Sequence, residues 1–228
     1  MYKRRTHRSP KRSSLPLATW NNRLYDVPCF LIGNGPSLNN IDTNRIVNFF
    51  SIGINRAFYK IDTTVLMWQD ISLYYSERIK MQKTSSLKLC TQKADPDARY
   101  SHFEVEGSEF KIPQHANILH GSGTSVPLAV QLAIVLGCNP IILCGCDCKV
   151  KNNKTNFYGN NKYHNNNTMR QCSAGLRWIK EEIHDKKIKN IISCSENDFF
   201  QNASLNEVLQ SINKSHQRDF SYYADILK

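Results

Sequence analysis

The stretch Pro28-Cys29-Phe30-Leu31-Ile32-Gly33-Asn34-Gly35-Pro36-Ser37-Leu38 constrains this chain more than any other. A short apolar run cut off by Gly-Asn-Gly-Pro-Ser reads as a buried strand that turns abruptly into a helix. Gly33 and Gly35 let the backbone turn with no Cβ in the way. Pro36 suits a first helical turn, where its missing N–H costs nothing. Strand, glycine turn and helix start together aim backbone N–H groups at a phosphate. Asn34, at the crest, is placed to bond a sugar hydroxyl or a phosphate oxygen. A GxG turn alone is more often an ordinary βα connection, and only further polar strand ends beside it make it a site.

The next two strands supply them. Phe49 to Ile54 reads as a second strand that delivers Asn55 and Arg56, and Thr63 to Trp68 as a third that ends at Gln69-Asp70. Ligands of open α/β sheets collect at the carboxyl ends of the strands. Asn34, Asn55 and Asp70 stand there, one per strand. Between the first two strands, Leu38, Ile41, Ile46 and Val47 outline a short helix. Ile71 to Lys83 reads as a helix and Ser86 to Cys90 as a strand. Residues 93–116 carry Asp95-Pro96, Gly107 and Pro113 with weak periodicity, and are expected to be an irregular excursion such as a lid or acceptor-binding segment. His102 and His115, within it, read as surface histidines. Asn117 to His120 is a short strand, followed by Gly121-Ser122-Gly123-Thr124-Ser125 and a helix from Val126 to Leu136. That helix is apolar on nearly every face and therefore buried. Thr124 or Ser125 caps it, and Gly123 helps to expose N–H groups a second time, which favours an anion cradle over plain capping.

Ile141 to Gly145 is another buried strand, leading into Cys146-Asp147-Cys148-Lys149. Cys144, Cys146 and Cys148 alternate but lack the C-x2-C spacing of metal sites, so they read as packed thiols, and no metal site is expected. Asp147, a carboxylate at a strand end, is the working residue there. The asparagine-dense stretch 149–168 reads as a mobile loop. It carries Phe157, Tyr158, Tyr163 and His164, and a histidine beside a nucleotide site has a pKa suited to a general base. Residues 169–187 form an amphipathic helix, Asn190 to Cys194 a last strand, and Leu205 to Ile212 a closing helix. The tail 214–228 adds no signal.

At 228 residues and 40% hydrophobic content the chain suits one domain. Its expected bounds are 21–213, after a basic arm and linker over 1–20. No run reaches the ~18 apolar residues of a membrane span, and no apolar stretch comes after the charged N-terminus, so no export is expected. Eight cysteines scattered through apparent strands and helices fit buried thiols in a reducing cytoplasm. The formal charge is +11, and Lys3, Arg4, Arg5, Arg8, Lys11 and Arg12 supply six positive charges before any acid appears. Such an arm points to a polyanionic partner, nucleic acid first, or else serves as a solubilising tail.

Ile-Gly-Asn-Gly-Pro-Ser-Leu, then Gly-Ile-Asn-Arg-Ala-Phe, then Gly-Thr-Ser before a buried helix, then Leu-Gly-x-x-x-Ile-Ile-Leu-x-Gly-x-Asp, is an order that resembles the bacterial sialyltransferases of the Campylobacter type. It is also similar to phage and bacterial proteins of that fold, including hydroxymethylpterin diphosphokinase-like enzymes. The resemblance runs from about Phe30 to Phe200. It implies an α/β protein: a single Rossmann-like domain, a GT-A-like sialyltransferase variant, with a mostly parallel sheet flanked by helices. It further implies a metal-independent glycosyltransferase that uses a CMP- or UDP-type nucleotide sugar, with no cofactor. By position, Gly33, Asn34, Gly35, Ser37, Asn55, Asp70, Gly123, Thr124, Ser125 and Asp147 would meet the nucleotide and donor. His164 would deprotonate the acceptor hydroxyl. Where sialyltransferases place two tyrosines after the Gly-x-Asp strand, this chain has Cys148-Lys149, with Tyr158 and Tyr163 further on, so Lys149 and Tyr158 are expected to stabilise the leaving phosphate. That departure argues against sialic acid as the sugar. The basic arm suggests a DNA acceptor, such as a hydroxymethylated base in phage DNA. Two other readings stay open: magnesium-dependent diphosphate transfer, with Asp70 and Asp147 holding the ion, and a non-catalytic nucleic-acid-binding module.

Overall fold

The computed structural model describes residues 17–107, 111–121, 123–151, 153–160, 166–186 and 190–228. The strands are β1 (Cys29–Ile32), β2 (Ser51–Ile54), β3 (Val65–Trp68), β4 (Leu87–Thr91), β5 (Ser101–Glu106), β6 (Ile118–His120), β7 (Ile141–Cys144), β8 (Ile191–Ser193) and β9 (Gln201–Asn202). The helices are α1 (Ile71–Lys83), α2 (Ser125–Val135), α3 (Asn166–Lys186), α4 (Leu205–Ser211) and α5 (Phe220–Ile226). All nine strands form one parallel sheet in the order β6-β5-β4-β3-β2-β1-β7-β8-β9. The expected α/β architecture with a mostly parallel sheet is observed.

Strands β1, β2, β3 and β7 are buried along their whole length because helices cover both sheet faces. On one face Leu31, Ile52, Met67 and Leu143 pack with α2 and with Leu176 and Ile179 of α3. Every residue of α2 except Val126 is buried, as its largely apolar sequence requires, and the one polar residue in mid-helix, Gln131, is satisfied by the backbone N–H and carbonyl of His120 at 2.8 and 2.7 Å. On the other face Phe30, Ile32 and Ile142 meet Val208 of α4, and Leu66, Trp68 and Cys90 meet Leu73 and Met81 of α1.

Four expectations change. The excursion 93–116 contains β5, whose Ser101 and Phe103 point inward. The helix after β1 is two 3-10 turns, Pro36–Asn40 and Thr43–Arg45, and Val47 is exposed. Both expected domain bounds also shift. Leu17 and Trp20 belong to the core, and the tail forms α5, which buries Tyr223 and Leu227 in that same core. The Trp20 indole donates to the Leu227 carbonyl at 2.9 Å, joining the two ends of the described chain. Finally, Cys148 and Cys172 form a disulfide, in place of the packed thiols expected throughout. Among the described cysteines the other six are unpaired.

Candidate functional site

Strand order reverses between β1 and β7: from β1 the chain steps outward to β6, then returns to β1's other side. Carboxyl ends of strands at such a switch point diverge and leave a crevice. Here a cleft of about 1020 Å³ opens there, lined by the ends of β1, β2, β3 and β7 and by the N-terminus of α2. That is the upper end of the range for ligand pockets and large enough for a nucleotide bearing a sugar.

The glycine turn after β1 is held rigidly. The Gly33 N–H donates to the Cys144 carbonyl at 2.8 Å and the Gly35 N–H to the Gly145 carbonyl at 2.6 Å. Asp147, buried to 2% exposure, accepts from the Ser37 N–H at 2.8 Å, from the Ser37 hydroxyl, and from the Glu196 N–H at 3.3 Å. A Cβ on Gly33 would lie 2.3 Å from the Gly145 carbonyl oxygen, and one on Gly35 would lie 2.4 Å from Asp147 Oδ2. Both glycines are therefore required by close packing of the turn on β7. The expected phosphate cradle of free amides is not what this turn offers, because the amides of Gly33, Gly35 and Ser37 are bonded within the protein. The cleft receives the Asn34 side chain instead.

Asn34 donates through Nδ2 to the Ile54 carbonyl at 2.8 Å. That bond fixes the amide and leaves Oδ1 with no partner among the described residues, although the residue is only 8% exposed. Asn55, at the end of β2, adopts φ 52°, a left-handed conformation that asparagine tolerates better than most residues. Its backbone N–H is held by the Met67 carbonyl, and its buried Oδ1 also lacks a partner among the described residues. Thr124 occupies the cap position of α2 without making a capping bond, and its Oγ1 is buried and unpaired among those residues. Three buried polar atoms without partners, from three chain segments, thus line one cleft. A buried polar atom left unpaired costs about 1–3 kcal/mol. Three in one cleft leave that many hydrogen-bonding positions open toward its interior. The adjacent start of α2 carries the partial positive charge of a helix N-terminus.

Of the other expected residues, Asp70, Gly123, Ser125, Asp147 and Tyr158 line the same cleft, and Ser125 Oγ accepts from the Gln69 amide at 2.9 Å. Lys149 and Ser37 do not join them; they line a neighbouring groove with Glu196 and Glu207. Lys149 thus lines that groove and not the cleft. His164 and Tyr163 lie outside the described residues, as do Lys3, Arg4, Arg5, Arg8, Lys11 and Arg12. The described part of the stretch expected to be a mobile loop is anchored. The Phe157 N–H donates to the Asn34 carbonyl at 2.8 Å, Asn39 donates to the Phe157 carbonyl at 3.1 Å, and Asn156 is buried.

The structure adds Arg56, which the sequence places at a strand end without assigning it a role. Its Nε lies 3.0 Å from Glu77 Oε1 on α1, and its guanidinium stands 5.6 Å from the Tyr158 ring centre. Burial opposes the Arg56 charge, but Glu77 and Tyr158 outweigh it and raise its pKa. Burial likewise works against the Glu77 carboxylate, yet hydrogen bonds from Tyr59 and Arg56 prevail and lower its pKa. A fixed cation beside an aromatic ring therefore forms one wall of the cleft. The sequence signal is present in Asn55-Arg56, but the partner Glu77 lies 21 residues away and on another element.

No family model matches the chain, and no curated protein matches it by sequence. Among solved structures, it is similar to the sialyltransferase CstII from Campylobacter jejuni in complex with the substrate analogue cytidine-5'-monophosphate. The TM-score is 0.50 at 16% identity, over 78% of this chain and 86% of that one. The shared property is the fold. A second CstII structure, with CMP-3FNeuAc, matches at 17% identity with a TM-score of 0.44, over 77% and 85% of the two chains. The match at TM-score 0.50 bears out the sialyltransferase-like fold expected from the sequence.

Proposed function

We propose that this chain is a glycosyltransferase that moves a sugar from a nucleotide-activated donor to an acceptor hydroxyl. The observation that carries the proposal is the convergence of Asn34 Oδ1, Asn55 Oδ1 and Thr124 Oγ1, all buried and unpaired among the described residues, in a cleft at the sheet's switch point. The fold shared with a sialyltransferase in complex with the substrate analogue cytidine-5'-monophosphate supports it. In this reading the two asparagines and Thr124 hold the nucleotide. The start of α2 faces its phosphate, and Arg56 with Tyr158 offsets charge on the leaving group. His164 is the general base. Asn160 and Thr168, which flank the segment carrying it, both line the cleft. The basic arm is the reason to propose DNA as acceptor, with a hydroxymethylated base supplying the hydroxyl.

The magnesium-dependent reading fits the residues less well. Asp147 Oδ1 and Oδ2 are already occupied by Ser37 and Glu196, so an Asp70–Asp147 pair does not offer two free carboxylates. The decisive measurement is a thermal-shift screen of the full chain with CMP-, UDP-, GDP- and ATP-type ligands, with and without magnesium. A CMP or UDP ligand at about 100 times its Kd should stabilise the fold by about 2.7 kcal/mol without magnesium. Stabilisation by ATP alone, and only with magnesium, would replace this proposal with diphosphate transfer. No stabilisation by any nucleotide would leave a non-catalytic module.

A further inference from the structure

Away from the cleft, the parallel register of β4 and β5 sets Cys90 directly beside His102. In a parallel pair, residues in register share a sheet face, so the two side chains meet. The connection between the strands makes a 3-10 turn over Gln92–Ala94, tied down by the Trp68 indole, which donates to the Ala94 carbonyl at 3.3 Å. It then brings Asp95 over both residues. One ligand atom from each of Cys90, Asp95 and His102 lies within 4.8 Å of the other two.

The Asp95 side chain is fully buried. Its Oδ2 accepts from the backbone N–H groups of Arg99 at 2.6 Å and Tyr100 at 2.8 Å, and lies 2.9 Å from His102 Nε2. Its Oδ1 is buried with no partner among the described residues. A carboxylate oxygen removed from water and left unpaired is costly, and here it adjoins a thiol and an imidazole. Thiolate sulfur, imidazole nitrogen and carboxylate oxygen form a donor set suited to zinc.

We propose that Cys90, Asp95 and His102 form a binding site for one zinc-class divalent cation, which fastens the β4–β5 connection to the sheet. The cation takes the unpaired Oδ1 as a ligand while Oδ2 keeps its two backbone bonds, and His102, one quarter exposed, leaves a fourth position open to water. Burial, reinforced by the nearby Asp95 charge, pushes the Cys90 thiol up. A cation between the two groups reverses that repulsion, so binding releases the thiol proton. The aromatic shell of Trp68 and Tyr100, with ring centres 5.3 Å apart, packs against the site. This site is independent of the nucleotide cleft, and its role is structural.

The test is titration of the chelator-treated, reduced full chain with Co2+, monitored by absorption, then displacement by Zn2+. One equivalent should bind with a thiolate-to-cobalt charge-transfer band. The band should disappear in Cys90→Ser and survive in the Cys148→Ser/Cys172→Ser double variant. Zn2+ should also raise the melting temperature of the unmodified chain, and His102→Ala should abolish that rise. Absence of saturable one-to-one binding in the unmodified chain overturns the proposal, whatever the variants do, and leaves Asp95 as a hydrogen-bonded loop staple. So does a charge-transfer band that persists in Cys90→Ser.

Discussion

The unpaired atoms of the cleft separate binding from folding, residue by residue. Thr124→Val removes an Oγ1 that bonds nothing among the described residues, at nearly constant volume. Stability should therefore hold or rise slightly, while affinity for the stabilising nucleotide falls about tenfold, in line with about 1.4 kcal/mol for a lost hydrogen bond. Paired denaturant melts and calorimetric titrations would check this, and a parallel loss of both would make Thr124 structural. Asn34→Ala should behave differently, since it also strips the Ile54 carbonyl of its donor. It should lose about 1–3 kcal/mol of stability as well as affinity. His164→Ala should lower kcat by about 10²–10⁴ with nucleotide affinity unchanged, as expected for a general base, in a single-turnover assay.

At the scale of elements, the site is a set of clamps between segments distant in sequence. Asp147 holds the β1 turn from 110 residues away. Asp147→Ala would strand the Ser37 and Glu196 N–H groups and should cost about 3 kcal/mol or more, measured by urea denaturation. Glu77 clamps α1 to the residue after Asn55. Its folded pKa lies below its ordinary value of 4.5, so its contribution is fully present above pH 4.5 and is lost as pH falls through the lowered value. Glu77→Gln should thus flatten the acid limb of the stability curve. These clamps explain what the sequence can and cannot reveal. Phe30-Leu31-Ile32 and Ile141-Ile142-Leu143 announce themselves as strands because both their faces are covered, and the turn after each run marks the cleft. Strand β5 escapes a sequence reading although Ser101, Phe103 and Val105 alternate with polar residues, because Asp95-Pro96 and Gly107 dominate its surroundings. Lys149 departs from its expected place because the direction of a side chain after a strand end depends on the turn, and Cys148, at φ 48°, redirects the chain there. Arg56 needs Glu77, and no local pattern names a partner on another element.

For the whole molecule, the ends matter more than their composition suggests. Deleting residues 214–228 would uncover Trp20 and remove the buried Tyr223 and Leu227. Losing side chains of this size costs about 4 kcal/mol or more, which lowers the melting temperature by roughly 10 °C in a chain of this length. The disulfide adds a more local tether, joining Cys148 to Cys172 on α3 across 24 residues. The sheet's order also bears on synthesis. One of the two neighbours of β1, β7, is made more than a hundred residues after it. At about 5–20 residues per second, the flank of β1 that will receive Ile141–Cys144 waits roughly 6–20 s for its partner. Throughout that interval the nascent polypeptide carries a naked, strongly apolar ribbon, a natural target for chaperones and for mispairing with a neighbouring copy.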